Sequence, residues 1–364
     1  MLQSTPDTLQ QRYNLQIAYW LLFCAGVIFA MILLGGVTRL TNSGLSMVEW
    51  KPIMGIIPPL SEADWQLLFS KYQRFPEYQK VNLGMTLAEF KPIFMFEYLH
   101  RVLGRIIGVI FVVPFAYFYF AKRIPAGLTG KLVVMLLLGA GQGLLGWYMV
   151  KSGLVNDPRV SQYRLTAHLG NAALIYAFIF WVACGLLHRP SAQPTTLRTP
   201  AMLISLLISV MILSGGLVAG TRAGYAYPTF PLMGDHFFPP QLYTMQPLWL
   251  SAFEDITTIQ FNHRILAYVI VTAIGLFVAC ALRSGVQGST RTGVWCMLGL
   301  MIVQVSLGIS TLLLHMPVPL AAAHQVGAIA LLSASLYVTH SLHCATGLPT
   351  QRDGAVSGSM PSAQ

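Results

Sequence analysis

The sequence predicts an all-α integral membrane protein: eight transmembrane helices forming two parallel-repeat four-helix bundles, related by a pseudo-two-fold axis along the membrane normal. Three observations predict this. Hydrophobic residues make up 55% of the 364 and charged residues only 9%, whereas a soluble domain carries about 25% charged residues. Eight apolar segments are long enough to cross a bilayer, which takes roughly 20 helical residues. Motifs in the first four segments return, in order, in the last four.

The predicted spans are 15–37, 94–120, 132–150, 165–187, 201–219, 261–282, 293–314 and 321–343. The connections after the second, fourth and sixth carry Lys122, Arg123 and Lys131, then Arg189 and Arg198, then Arg283 and Arg291, with no acid among them. Excess Lys and Arg marks cytoplasmic loops, which places both termini inside an inner membrane and leaves segments 38–93 and 220–260 outside. The net charge of +10 is therefore read as a topology signal, and no nucleic-acid partner is expected. The polar stretch Met1 to Gln16 precedes an apolar run too long for a cleaved signal peptide, so the first span is expected to be retained.

Gly35-Gly36-Val37-Thr38-Arg39 closes the first span, and Gly215-Gly216-Leu217 with Thr221-Arg222 closes the fifth. Glu97-Tyr98-Leu99-His100-Arg101 opens the second, and Gln260-Phe261-Asn262-His263-Arg264 the sixth. Gln142-Gly143-Leu144-Leu145-Gly146 matches Gln304-Val305-Ser306-Leu307-Gly308, and Ala167-His168-Leu169-Gly170 matches Ala323-His324-Gln325-Val326-Gly327. Four spans per unit make the repeat parallel rather than inverted, with halves at 1–190 and 191–364. Gly104, Gly108, Gly139, Gly143 and Gly146 have the spacing of close helix approach.

His100, His168, His263 and His324 fall at one membrane depth, near the outward ends of the even-numbered spans. An ionisable residue inside a membrane is costly, and four at repeated positions point to ligation. Two imidazoles on different helices suit the axial positions of a haem iron. That pairs His100 with His168 and His263 with His324. A dinuclear carboxylate site would use Glu97-x-x-His100 but needs a second such pair and further glutamates. Zinc lacks a third protein ligand.

Glu97 lies one helical turn before His100 on the same face, and the neutral Gln260 takes its place before His263. A carboxylate beside a porphyrin can accept a proton or stabilise developing positive charge, so the first half is expected to do chemistry and the second to hold a permanent cofactor. The alternative role for Glu97 is an i, i+4 salt bridge to Arg101. Arg39, Arg101, Arg222 and Arg264 are candidates for haem propionates, against simple interfacial snorkelling. His188, His340 and His343 at cytoplasmic helix ends and His236 in a loop read as structural; His315 stays open. Cys24, Cys184, Cys280, Cys296 and Cys344 lack a metal-site spacing and read as buried packing.

At these residues the chain resembles the heme A synthase family, over almost its whole length. The resemblance rests on Gly35 to Thr41, Ser43-Gly44-Leu45-Ser46-Met47, Pro76-Glu77-Tyr78, Glu97 to Arg105 and the three later histidine motifs. It implies oxidation of the C8 methyl of heme O to the formyl group of heme A, for the terminal cytochrome oxidase. It also implies Glu97 as the essential acid, His100 and His168 on the substrate haem, and His263 and His324 on heme B. Handover from heme O synthase is implied too; the electron acceptor and any homo-oligomer are left open. The first outer segment has no cysteine pair, so the chain looks like the branch found in mitochondria and alphaproteobacteria, with its long loop through Trp50-Lys51-Pro52 and Tyr78. The chemistry expected is two successive oxidations through a hydroxymethyl and a hydrated aldehyde, by electron removal and water addition, with Glu97 assisting deprotonation. The rivals are a two-haem electron-transfer protein and a haem carrier.

Overall fold

The structure is a computed structural model and describes residues 6–49, 54–154, 158–187 and 193–344. His188, Arg189 and the segment Trp50-Lys51-Pro52 lie outside the described residues. Among the described residues, eight helices are long and apolar enough to cross a membrane, one for each predicted span. They are α1 (Pro6–Leu40), α4 (Leu87–Phe120), α5 (Leu128–Gly153), α6 (Gln162–Leu187), α7 (Arg198–Thr221), α9 (Ile256–Arg283), α10 (Gly288–Leu313) and α11 (Val318–His343). Short helices α2 (Glu62–Tyr72), α3 (Pro76–Lys80) and α8 (Ser251–Glu254) lie in the two long connections. The protein is a multi-pass membrane protein. In lipid the backbone must satisfy its own hydrogen bonds, and helices do so within one segment.

The helices outrun the apolar segments because capping, not hydropathy, ends a helix. Thr86 accepts from Glu89 N while the Glu89 side chain returns to Thr86 N, a reciprocal cap that starts α4 seven residues before the predicted span. Asp255 accepts from Thr258 N and starts α9 in the same way.

Helix α1 is central. Ile17, Leu21, Cys24, Ile28 and Ile32 form its buried stripe, at the three-to-four-residue spacing of one helix face. It packs on α4 and α6 and, across the halves, on α11. Helix α7 repeats this through Ala201, Ile204, Ile208 and Ile212, packing on α9, α11 and α6. One continuous apolar core runs through all eight helices. At the end bearing the long connections, Arg39 Nη2 donates to Ala219 O (2.9 Å) and Arg222 Nη2 to Asn42 Oδ1 (2.8 Å), each bond joining one half to the other.

The first long connection folds back as a cap. Trp65, Phe69 and Tyr72 of α2 pack on Phe90 and Phe94 of α4, with Tyr72 stacked on Phe90 at 5.0 Å. Ion pairs Lys71–Glu49 (2.6 Å) and Lys91–Glu62 (3.0 Å) tie its edges.

Two packing expectations are corrected. Around Gly108, Gly139 and Gly143 nothing lies within 4 Å of where a Cβ would stand, so they bring no helices together; α5 turns Leu137 and Leu144 outward on that side. Cys24 and Cys184 are buried as expected, but Cys280 and Cys296 are on the outer surface and Cys344 is half-buried. An apolar run cannot distinguish the lipid-facing side of a helix from its buried side, since both are apolar.

Candidate functional site

The four histidines project from α4, α6, α9 and α11, and each imidazole meets a glycine of the neighbouring helix. A Cβ added to Gly35 of α1 would stand 2.9 Å from His100 Cε1, and one on Gly146 of α5 would stand 3.0 Å from His168 Cε1. Gly308 of α10 does the same for His324 at 2.8 Å; Gly215 of α7 faces His263 more loosely, at 3.6 Å. The double-glycine and Gln-x-x-x-Gly motifs thus carve the space the rings occupy. His100 lies close enough to His168 for their charges to interact, and His263 likewise to His324.

The two pairs are held differently. His263 Nδ1 lies 3.0 Å from Ser214 Oγ and His324 Nδ1 lies 3.2 Å from the Gln304 carbonyl. The Nδ1 atoms of His100 and His168 are buried with no hydrogen-bond partner among the described residues. Both pairs share a backbone anchor: Gln142 Nε2 donates to the His168 carbonyl (3.0 Å) and lies 3.4 Å from its Nε2, as Gln304 Nε2 donates to the His324 carbonyl (2.9 Å), and Asn171 Nδ2 donates to Gln142 Oε1 (2.8 Å).

These residues fit haem. Each pair sets two imidazoles from different helices against each other, with ring space cleared by glycine and, in the first pair, buried nitrogens that protein groups leave unmet. Among the described residues no three His, Cys, Asp or Glu side chains converge as a protein-bound metal cluster requires.

Glu97 is buried, 3% exposed. Arg101 Nη2 donates to its Oε1 at 2.5 Å, and Ser46 Oγ and Met47 N both donate to Oε2 at 2.8 Å. Arg101 also donates to the carbonyls of Met47 and Glu49. The i, i+4 salt bridge therefore exists, and it clamps segment 43–49 to α4. The equivalent position in the second half uses Gln260 Nε2 and Arg264, which both donate to Tyr227 O, with Arg264 reaching Leu232 O as well. All four candidate arginines thus donate to protein oxygens, Arg39 to a carbonyl of α7 and Arg222 to Asn42 across the halves, and Arg101 and Arg264 to loop carbonyls within one. Free snorkelling describes none of them.

His340 is buried edge-on to Trp181, and His343 lies in the last turn of α11. His236 pairs with Met233 through backbone hydrogen bonds, and His315 occupies a left-handed turn after α10, at φ 60°. The sequence reading left Glu77 without a role. It is 5% exposed in α3, accepts from Tyr72 (3.1 Å) and interacts electrostatically with Glu97. Burial pushes its carboxyl up to about 7, with the Glu97 charge adding to the rise and the Tyr72 hydroxyl opposing it.

The model of the COX15-CtaA family, cytochrome oxidase assembly protein, matches residues 18–336, which contain all four histidines and Glu97. The chain belongs to that family. Among its COX15-CtaA relatives, the heme A synthase of Nitrosospira multiformis is 51% identical over 344 residues, covering 93% of this chain and 97% of its own. That of Nitrosomonas eutropha is 49% identical over 348 residues, covering 93% and 98%. The human heme A synthase COX15 is 43% identical over 337 residues, covering 90% and 82%.

Proposed function

We propose that this protein is a heme A synthase, an inner-membrane oxidoreductase that converts the C8 methyl of heme O to the formyl group of heme A. In this reading both termini are cytoplasmic, the histidine end of the bundle faces outward, and a pseudo-two-fold along the membrane normal relates the halves. The relatives bearing that name align with more than nine tenths of the chain, and the repeated helix pairings of α1 and α7 favour the symmetry.

The observation that carries the division of labour is the unequal support of the two histidine pairs. A permanent ligand gains from a second hydrogen bond that fixes its tautomer and orientation; His263 and His324 have one. These two would hold heme B, which supplies a one-electron redox couple when bound. His100 and His168, with unmet Nδ1 atoms, suit a haem that must arrive and leave, namely heme O and then heme A.

Each oxidation removes two electrons and one proton from the methyl carbon, and the water that adds its oxygen there gives up the second proton. The second gives a hydrated aldehyde, which loses water to leave the formyl group. The electrons pass to an external acceptor. Glu97 is the acid assigned to the chemistry, and its surroundings favour one of its two possible roles. A carboxylate already holding an arginine and two further donors is fixed in place as a counter-charge where the oxidised macrocycle becomes positive. Handover from heme O synthase follows from the same reading.

The test is to express the full chain in a host that makes heme O, purify it in mild detergent and identify the extracted haems by chromatography and mass. Heme B with heme A or its hydroxymethyl precursor supports the synthase. Heme B alone, with reversible redox behaviour, points to an electron carrier. A product formyl without label from isotopic water, with exchange blocked, would exclude water as the oxygen source.

A further inference from the structure

The assignment above leaves one buried carboxyl unused. Glu77 sits under the cap in α3, and among the described residues it joins no ion pair. Its side chain accepts from the Tyr72 hydroxyl at 3.1 Å, and Asn82 Nδ2 donates to that hydroxyl at 2.8 Å. The titratable groups facing it are Tyr72 from α2 and Glu97, paired with Arg101, from α4. Glu97 and Glu77 are thus neighbours with opposite surroundings, one ion-paired and fully bonded, the other desolvated beside that negative charge. Two carboxyls separated in this way divide into a fixed charge and a proton carrier. Burial holds the Glu77 carboxyl at about 7, where gain and loss of a proton are both easy near neutral pH.

We propose that Glu77 takes up the protons released as the first-half substrate is oxidised, while Glu97 stays paired with Arg101. The inference rests on the heme A synthase reading. Each uptake forms one O–H bond on a Glu77 carboxylate oxygen with a proton lost from the methyl carbon or the added water; no electron passes through either carboxyl. Glu77 is assigned as a positioning residue for the proton and not as a group on the reacting atoms.

The experiment uses the full chain carrying its haems, as wild type, Glu77→Gln, Glu77→Asp and Tyr72→Phe. Infrared spectroscopy across pH reads the carboxylic-acid C=O band, and haem extraction reads turnover. In the wild type the band is lost with a midpoint near 7. It is absent in Glu77→Gln and moves to higher pH in Tyr72→Phe, which removes a donor to the charged form. Glu77→Gln lowers heme A formation about tenfold to hundredfold and abolishes its pH dependence near that midpoint, Glu77→Asp restores most of it, and heme B content stays constant. A band that persists in Glu77→Gln overturns the inference, as does unchanged turnover in that variant. If Glu77→Gln loses heme B through misfolding, an unshifted midpoint in Tyr72→Phe overturns it. A wild type that makes no heme A overturns the synthase reading itself; a wild type that makes it beside an unimpaired Glu77→Gln overturns only the role of Glu77.

Discussion

The Nδ1 of His324 lies 3.2 Å from the main-chain carbonyl of Gln304, whereas the Nδ1 of His168, its counterpart in the first half, has no partner among the described residues. His263 and His100 differ in the same sense, with Ser214 supporting only the former. The repeat duplicates the histidines and not their support, the difference on which the proposed fixed cofactor on one side and exchanging substrate on the other rest.

Ser214→Ala removes the hydroxyl beside His263. Loss of such a supporting bond typically weakens a ligand site by 10–100-fold, so heme B should dissociate about tenfold faster, followed by transfer to an acceptor protein. The first-half haem should be unaffected.

The glycine cradle predicts a graded series. Gly308→Ala would put a methyl 2.8 Å from His324 Cε1 and so displace the ring, whereas Gly215→Ala places it at 3.6 Å, an ordinary contact. Optical and electron-paramagnetic spectra should show the six-coordinate low-spin signal lost or perturbed in the first variant and kept in the second.

Glu97→Gln breaks the ion pair to Arg101 and removes the fixed charge. Heme A formation should fall about a hundredfold or more with heme B retained and its reversible redox behaviour intact. Wild-type turnover in this variant would assign Glu97 to clamping segment 43–49 alone.

Glu77 makes stability fall with rising pH. Its carboxyl moves from the ordinary 4.5 to about 7 on folding, so between those values the folded state binds more proton than the unfolded. The penalty is absent below the lower value and complete above the upper one, on the order of 3 kcal/mol. Glu77→Gln should therefore raise the unfolding temperature at pH about 8 relative to wild type and gain far less at pH about 5, read by thermal unfolding in detergent.

The eight spans were legible because lipid leaves the chain so few options: a long uncharged segment must be a helix. The repeat singled out the four histidines as the two proposed pairs. What the repeat did not disclose was the use of its glycines. Gly35 and Gly308 served only to align the halves and Gly146 counted toward helix approach as well, and their contact with imidazoles needs three dimensions to see, while Gly139 and Gly143 had the right spacing and turned outward. Glu77 was hidden for a different reason. A glutamate in a mixed-charge connection looks solvated until that connection folds back over Phe90 and Phe94. The carbonyl partners of Arg101 and Arg264 lie 32 to 54 residues away in irregular segments, beyond any local pattern.

The most direct test of the division between the halves is the haem content of two variants, His168→Ala and His324→Ala, purified from a host that makes heme O. The account predicts that His324→Ala loses heme B, while His168→Ala keeps heme B and loses heme O, its hydroxymethyl product and heme A. Loss of heme B from His168→Ala with retention in His324→Ala would contradict it.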